Sequence, residues 1–268
     1  APSTYSRATV HYLDAKGREV DTALPGGRIS ATEYDANDNV AGSLTAASRA
    51  AGGAPELWTR RTYSADGIDL LTETGPRRQV KLDDGTTAMA RPSTVTIYAD
   101  HLPASVTVSA KLDGGAEADN HTTTYAYDAG DGGQAARLPT ATTVDYGGLN
   151  LVTRARYDTA TGQEIERRLP AGTGSDARSR LTFYYGGTEP GCAGNPEWRG
   201  LPCKTRPAAQ PGTPGQPDLP VSTFQYSPLN QLASRTDATG TAWRTVATSY
   251  DAAGRQTGEH ITQSGPEA

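Results

Sequence analysis

Residues 250–255 read Tyr-Asp-Ala-Ala-Gly-Arg and stand between WRTVATS, rich in β-branched residues, and the polar stretch QTGEHIT. An Asp at this position can accept hydrogen bonds from backbone N–H groups two residues further on. A Gly three residues later supplies the positive φ that a tight turn requires. Because β-branched residues favour strands, the stretch predicts a β-hairpin whose outgoing strand ends at Tyr250 and whose corner is formed by Asp251 and Gly254.

The corner pattern recurs along the chain. Further copies begin at Leu13, Tyr34, Tyr63, Tyr127, Tyr157 and Tyr226, with weaker copies at Tyr98 and Tyr185. Successive copies lie 21, 29, 35, 29, 30, 28, 41 and 24 residues apart. A single Tyr-Asp pair carries little information, but a set with steps close to 30 residues predicts a repeat protein.

The residues expected to form the corners are a Tyr, an Asp and a Gly in each full copy. Where the Gly is missing, Asp38 and Asn230 occupy its position, and both residue types tolerate positive φ better than most. Such exchange suits a turn and not an active site. The corner residues are Asp14, Gly17, Tyr34, Asp35, Tyr63, Gly67, Tyr127, Asp128, Tyr157, Asp158, Gly162, Tyr226, Tyr250, Asp251 and Gly254.

The composition favours the same architecture. Hydrophobic residues make up 35% of the chain, and 13 Tyr stand against 2 Phe, with 30 Gly and 18 Pro. Such a chain suits half-buried sheet surfaces and many turns. We therefore predict an all-β fold of consecutive antiparallel β-hairpins that form a long curved or spiralling sheet with little or no helix. The one possible helix is residues 40–52, which lack an apolar stripe.

The pattern at residues 250–255, with its upstream relatives, resembles the YD repeat of the Rhs family. That family includes bacterial Rhs polymorphic toxins, the B and C components of insecticidal ABC toxin complexes, and the animal teneurins. The resemblance extends over residues 1–268. It implies a strip of hairpins that spirals into a hollow shell, which in the toxins encloses a C-terminal toxic domain. The chain is therefore expected to be a YD-repeat segment of a larger protein, without the stretch that closes the shell.

The longest step between copies contains the two cysteines. Residues 186–220 are dense in Pro and Gly and are expected to be an insertion within one repeat, with a loop followed by an extended tether. Two Cys in a short loop favour a disulfide between Cys192 and Cys203 in an oxidising compartment, with free thiols as the alternative. A metal site lacks partners, since the nearest histidines are His121 and His260.

Catalytic and metal-binding patterns are weak. Asp35, Asn37 and Asn39 imitate the start of a calcium-binding loop, but Val40 stands where that loop needs Gly. Glu33 and Asp35 could pair as carboxylates, although acids flanking a turn explain them as well. The sequence has no G-x-S-x-G, no HExxH and no phosphate-binding Gly-rich loop. We therefore expect no catalytic residue, no cofactor and no metal.

Charge and hydropathy limit the partners. The net charge is −5, and basic residues never exceed two in a row, as at Arg60-Arg61, so no nucleic-acid footprint is visible. No apolar run approaches the length of a membrane span. The expected partners are the rest of the parent polypeptide and glycans, and bare sheet edges favour edge-to-edge self-association.

The expected function is that of a non-catalytic structural module. It would form part of a hollow shell around a toxin or effector domain of a large protein that is secreted, extracellular or cell-wall-associated. The alternative is a cell-surface adhesion or carbohydrate-binding module. Trp58, Trp198 and Trp243 are the candidate sugar-stacking residues for that alternative. Trp198, inside the Cys loop, is the best of them, although local packing also explains it.

Overall fold

The computed structural model describes residues 7–212 and 214–265. In these residues it has nineteen strands, and each strand pairing that joins them within the two units described below is antiparallel. The all-β prediction is therefore confirmed. The strands are β1 (Val10–Leu13), β2 (Glu19–Leu24), β3 (Arg28–Tyr34), β4 (Val40–Leu44), β5 (Thr59–Tyr63), β6 (Leu70–Thr74), β7 (Arg78–Lys81), β8 (Thr87–Ala99), β9 (Leu102–Leu112), β10 (Glu117–Ala126), β11 (Ala141–Val144), β12 (Leu151–Tyr157), β13 (Glu164–Arg168), β14 (Ser179–Tyr184), β15 (Pro202–Pro207), β16 (Val221–Tyr226), β17 (Leu232–Thr239), β18 (Ala242–Tyr250) and β19 (Gln256–Ser264).

The chain divides into two compact units. Unit 1 comprises residues 1–125 and 143–150, and unit 2 comprises residues 126–142 and 151–268, so the divisions fall within β10, within β11 and just before β12. In unit 1 consecutive strands pair from β1 to β6, and both β6 and β7 pair with the long strand β8. In unit 2 each strand from β12 to β19 pairs with the next.

The longest hairpin of unit 1 joins β8 and β9 by a two-residue turn. Ala99 lies opposite Leu102, and the intervening Asp100 and His101 have φ values of 50° and 59°. Two consecutive positive φ values give a turn whose twist matches that of the flanking strands. The weak copy at Tyr98 therefore has a tighter corner than the other copies.

Few large hydrophobic side chains are buried. The buried hydrophobic residues in the described part of the chain are Ala31, Leu44, Ala90, Ala155, Tyr157, Tyr185, Cys192 and Cys203. Several polar residues are buried beside them, including Glu166, which is 3% exposed. A core this thin contributes little hydrophobic free energy, so strand ladders and side-chain hydrogen bonds carry much of the stability.

The possible helix at residues 40–52 is a strand in its first half and a short helix in its second. Val40–Leu44 is β4, which pairs with both β3 and β5. Helix α1 covers Ala46–Ala50, and the Oγ1 of its N-cap Thr45 accepts the Ser48 N–H at 3.1 Å. Strand pairing outweighs the helix propensity of this stretch, because propensity differences amount to less than about 1 kcal/mol per residue. A second short helix, α2 (Gly133–Ala136), was not predicted.

The range 186–220 contains a strand. β15 pairs with β14 on one side and β16 on the other. Residues 186–201, with a 3-10 turn at Pro196–Trp198, precede β15, and residues 208–220 follow it. The assignment of the whole range as an insertion remains a prediction.

Candidate functional site: the tyrosine-tied hairpin corners

The regular corner is simplest at Asp251. Its N–H donates to the Arg255 carbonyl and the Gly254 N–H donates to the Asp251 carbonyl, each at 2.9 Å. The Asp251 Oδ1 accepts the N–H groups of Ala253 at 3.0 Å and of Arg255 at 2.9 Å. Gly254 has a φ of 79°. The corner thus needs a short acceptor side chain, followed three residues later by a residue that tolerates positive φ.

Asp14 forms the same corner. Its Oδ1 accepts the N–H groups of Lys16 and Arg18 at 2.8 and 3.0 Å, and Gly17 has a φ of 80°. The Arg18 guanidinium holds the pKa of Asp14 below its ordinary value. The Arg255 backbone N–H, and then its guanidinium, lower the pKa of Asp251 in the same way. Both carboxylates therefore act as charged hydrogen-bond acceptors that hold the corner.

Other residue types occupy the corner positions without changing its geometry. Asp38 and Asn230 take the position of the Gly, with φ values of 66° and 60°. Ser227 takes the position of the Asp, and its Oγ accepts the N–H groups of Leu229 at 3.2 Å and Gln231 at 3.3 Å. The corner is therefore defined by backbone conformation and an acceptor atom, as turn chemistry requires.

Three other predicted corners depart from this pattern. At Tyr63 the Ser64 N–H donates to the Asp69 carbonyl at 2.8 Å, so this corner is one residue longer. At Asp158 the corner is one residue longer: the Asp158 N–H donates to the Gln163 carbonyl at 2.8 Å, and Gly162 has a φ of 70°. At Asp128, which follows Tyr127, the N–H donates to Thr140 Oγ1 at 2.8 Å. The chain then enters α2 in place of a return strand.

The Tyr hydroxyl at the end of an outgoing strand ties that strand to an earlier segment of the chain. In five cases the acceptor is the carbonyl of the first residue in the return strand of the preceding hairpin. These bonds join Tyr34 to Glu19 (3.0 Å), Tyr63 to Val40 (3.2 Å), Tyr184 to Glu164 (2.8 Å), Tyr226 to Pro202 (2.9 Å) and Tyr250 to Leu232 (3.1 Å). Tyr157 donates to the Pro139 carbonyl at 3.1 Å.

The acceptor carbonyl lies beside a β-bulge. In the β16–β17 hairpin, Gln225 lies opposite Ser234 but Tyr226 lies opposite Leu232, so Ala233 has no opposite residue. An extra residue interrupts the ladder at that point. The Leu232 carbonyl then accepts the Tyr250 hydroxyl of the next hairpin. The same register shift occurs at Leu13, Tyr34, Tyr63, Tyr157, Tyr184 and Tyr250.

Neighbouring corners are also joined side by side. In three copies the residue after the positive-φ position carries an amide. Asn39 donates to the Gly67 carbonyl at 2.8 Å in unit 1. In unit 2, Gln163 donates to the Gly200 carbonyl at 2.6 Å, and Gln231 to the Gly254 carbonyl at 3.1 Å. In each case the acceptor is a glycine with positive φ, so a side-chain hydrogen bond joins one corner to the backbone of the next.

The corner between β14 and β15 contains the cysteines. The Tyr185 N–H donates to the Leu201 carbonyl at 2.9 Å, and the Gly200 N–H donates to the Tyr185 carbonyl at 3.0 Å. These are the bonds that Asp251 makes at its own corner, so Tyr185 stands in the Asp position and Gly200 in the Gly position. Tyr184, and not Tyr185, ends the strand. Residues 186–199 replace the two residues between Asp251 and Gly254.

A disulfide and an aromatic cluster hold this enlarged corner. Cys192 and Cys203 form the disulfide, and both are buried. The ring of Tyr185 packs edge-to-face against Trp198 and Tyr226, with centroids 5.1 and 6.2 Å apart. Burial, with the neighbouring Tyr185 second, raises the pKa of Tyr226 to about 12. Trp198 is therefore engaged in local packing.

An open cleft of about 540 Å³ lies beside the enlarged corner. Its lining combines polar and apolar groups, and the polar ones include Asp158, Thr182, Glu189 and Arg199. Glu189 is paired with Lys204 at 2.8 Å. The lining ring of Phe183 faces the Arg206 guanidinium, 5.1 Å from the ring centroid. A polar ligand has room in this cleft.

The other acidic candidates already have partners. Glu33 bonds Arg60, and Asp35 accepts the N–H groups of Asn37 and Asn39, so they form no free carboxylate pair. Within residues 7–212 and 214–265, no group of three His, Cys, Asp or Glu side chains could hold a metal ion. No helix among the described residues is long and apolar enough to cross a membrane.

Glu166 is the most deeply buried acid among the described residues. Burial alone would raise its pKa, but hydrogen bonds from Arg168 and Arg156 outweigh it and hold the pKa of Glu166 below its ordinary value. The Arg156 Nη1 lies 2.9 Å from Glu166 Oε2. A buried carboxylate with two guanidinium partners is a structural ion pair.

Sequence reasoning missed the two features that join hairpins: the tyrosine tie and the amide link. The excess of Tyr over Phe was a signal for the tyrosine tie, because a hydroxyl group repeated at strand ends is useful only where it has a hydrogen-bond acceptor. The signal for the second was an Asn or Gln directly after the positive-φ position, as at Asn39, Gln163 and Gln231.

No protein-family model matches the chain, and no curated protein matches it. Solved structures of Tc toxin complexes are similar to it at low identity. For TcdB2-TccC3-TEV the identity is 17%, with a TM-score of 0.37 and coverage of 95% of this chain and 15% of that chain. For the Photorhabdus luminescens Tc holotoxin pore the values are 14%, 0.32, 94% and 18%. The chain thus spans less than one fifth of the length of either structure.

Proposed function

We propose that the chain is a non-catalytic structural module, a run of hairpins that forms part of the wall of a hollow YD-repeat shell. In this proposal the shell encloses a toxin or effector domain of a larger secreted or surface protein. The observation that carries the proposal is the tie from the Tyr hydroxyl of five copies to the preceding hairpin, as from Tyr250 to Leu232 and from Tyr226 to Pro202.

The tie has a clear architectural use. Hairpins that meet only through strand pairing can slip in register. The Tyr hydroxyl bonds the carbonyl beside the β-bulge of the preceding hairpin, and the Asn or Gln amide bonds a glycine carbonyl in the next corner. Together these two contacts fix the position of a hairpin relative to its neighbours. Hairpins that repeat the same contacts keep a constant position relative to their neighbours, which is what a wall needs.

The resemblance of the repeated Tyr-Asp-x-x-Gly pattern to the YD repeat supports the shell itself. The disulfide supports a secreted, extracellular or cell-wall-associated location, because disulfides persist in oxidising compartments. In this proposal the partners are the remaining repeats and the enclosed domain of the parent polypeptide.

Protease protection in the complete parent polypeptide tests the proposal. We expect any domain enclosed by the shell to resist a protease concentration that digests the same domain when it is expressed alone. The double variant Y226F/Y250F removes two ties and should speed its cleavage. Tyr146→Phe is the control, since its side chain is exposed. Cleavage of the wild-type domain as fast as the free domain would exclude the shell.

The second candidate is a cell-surface adhesion module that binds carbohydrate, and the cleft beside the enlarged corner is the observation that favours it. Polar side chains such as Thr182 and Arg199 could bind sugar hydroxyls. A glycan array with the chain separates the candidates: a wall segment shows no saturable binding, whereas an adhesion module shows binding that R199S/T182A abolishes.

A further inference from the structure

A pocket of about 290 Å³ on unit 2 combines an apolar lining with several arginines. Arg167 lies opposite Arg180, which in turn lies opposite Pro207. Just beyond the paired ends of β13 and β14, the Leu169 N–H donates to the Arg178 carbonyl at 2.9 Å. Because side chains two residues apart share a face of a strand, these arginines and Leu169 project from the same face.

The arginines of this pocket differ in charge balance. Arg167 is neutralised by a two-point ion pair with Glu164. Arg178 and Arg180 are exposed, and among the residues that the structure describes neither guanidinium forms an ion pair with a carboxylate. Arg180 instead donates to Thr205 Oγ1 at 2.5 Å. The pocket therefore carries two guanidinium groups that no salt bridge within the described part of the chain neutralises, although the Asp176 carboxylate lies near them and accepts the Ser179 hydroxyl at 2.9 Å.

The arrangement is unfavourable for the sheet alone. Like charges directly opposite each other on paired strands are destabilising, and Arg167 lies directly opposite Arg180. Glu164 relieves this repulsion for Arg167 only. A bound anion would relieve it for Arg180 as well, and guanidinium groups bind a carboxylate through strong charge-assisted hydrogen bonds.

The rest of the lining is apolar and built on a fastened segment. Leu169 is 55% exposed and Leu219 is 37% exposed, and Pro207 and Pro220 complete the wall. The Gln210 side chain clasps the Leu219 backbone: its Oε1 accepts the Leu219 N–H at 2.8 Å, and its Nε2 donates to the Leu219 carbonyl at 3.1 Å. This clasp holds Leu219 in place over the pocket.

We propose that this pocket is a docking site for a peptide segment that carries an acidic side chain beside an aliphatic one. The carboxylate would bind between Arg178 and Arg180, and the aliphatic group would cover Leu169 and Leu219. The positive charge of the two arginines favours an acidic side chain, and the exposed leucines favour an aliphatic side chain next to it. The proposal goes beyond the shell, because it concerns a partner segment and holds for a wall segment and for an adhesion module alike.

An array of immobilised hexapeptides tests the docking site with the 268-residue chain. Each peptide has one Glu or Asp flanked by Leu, Ile, Val or Phe and is matched with a Gln or Asn counterpart and with a Ser-flanked counterpart. We expect the chain to bind the best acidic-aliphatic peptides about tenfold more tightly than their amide counterparts, as loss of a charge-assisted hydrogen bond implies.

Variants locate the site. R178S/R180S should lose the preference for acid over amide, whereas R28S/R78S, which removes the same charge from exposed positions in unit 1, should keep it. Leu169→Ser should reduce binding of aliphatic-flanked peptides to the level of Ser-flanked ones, and its exposure means that folding is not at risk. Absence of an acid preference in the wild type, or its survival in R178S/R180S, overturns the proposal.

Discussion

Two corners of unit 2 reach the same geometry by different chemistry. The corner at Asp251 is closed by two intervening residues, and the corner at Tyr185 by residues 186–199. Both begin after a Tyr whose hydroxyl is tied to the preceding hairpin, and both end on a positive-φ glycine that accepts an amide from the neighbouring corner. The tyrosine tie and the amide link to neighbouring hairpins are the same at both corners, and the enlarged corner adds ring contacts from Tyr185 and Trp198 to Tyr226.

The two corners also differ in what stabilises them. At Asp251 the stabilising groups are a carboxylate, two backbone N–H groups and Arg255. The enlarged corner has no such acceptor, and a longer loop costs more conformational entropy to close. Its disulfide and the rings around Tyr185 offset that cost by constraining the loop and burying apolar surface.

Removal of the disulfide should have the largest effect. We expect C192S/C203S to lower the free energy of unfolding by about 2–4 kcal/mol, measured by chemical denaturation. Hydrogen exchange should accelerate most in residues 186–203. The β18–β19 hairpin is the internal control, because no side-chain hydrogen bond or ring contact joins it to residues 186–203, all of which the structure describes. Equal acceleration in that hairpin would show that the enlarged corner is not stabilised independently of the regular one.

Loss of the tyrosine hydroxyl should cost the same at both corners. Tyr184→Phe and Tyr250→Phe each remove one hydrogen bond to a backbone carbonyl, so each should lower the free energy of unfolding by about 1 kcal/mol. Tyr146→Phe, at an exposed ring, should leave it unchanged. A large loss at one corner and none at the other would contradict a shared tie.

A Cβ at Gly254 should destabilise the regular corner by a similar amount. The φ of 79° at Gly254 is costly for other L-residues, so Gly254→Ala should destabilise by about 1 kcal/mol. Gly258→Ala in the same hairpin is the matched control, since a Cβ there meets nothing within 4 Å. Thermal unfolding of both variants makes the comparison, and equal melting temperatures would rule out a strained turn.

Alkaline titration should show the raised pKa of Tyr226 in the aromatic cluster. The folded pKa of Tyr226, about 12, lies above the ordinary value of 10.0. Its contribution to stability is therefore complete below pH 10 and is lost as the pH rises toward 12. Ultraviolet absorbance of tyrosinate should show a late step that Tyr226→Phe removes. A step that survives in this variant would assign the raised pKa to another ring.

Sequence reasoning succeeded where the physical cause is local. Asp251 and Gly254 act within six residues, and the exchange of Gly for Asp38 or Asn230 follows from backbone preference alone. It placed the end of the strand at Tyr185 when the strand ends at Tyr184. The sequence gives no sign of this, because Tyr185 occupies the position of the corner Asp but has no Asx side chain. It also failed over Val40–Leu44, where a stretch of small residues reads as helix until its partners β3 and β5 are known.

The sequence by itself determined the class of fold, the positions of the regular turns and the spacing of the hairpins, because strand propensity, Asx acceptors and positive φ are properties of neighbouring residues. The tertiary structure alone decided which carbonyl each tyrosine reaches and that residues 186–199 leave the corner ends intact. It also decided that Arg178 and Arg180 share a pocket with Leu219. Those contacts join residues far apart in the chain, and only the register of the paired strands brings them together.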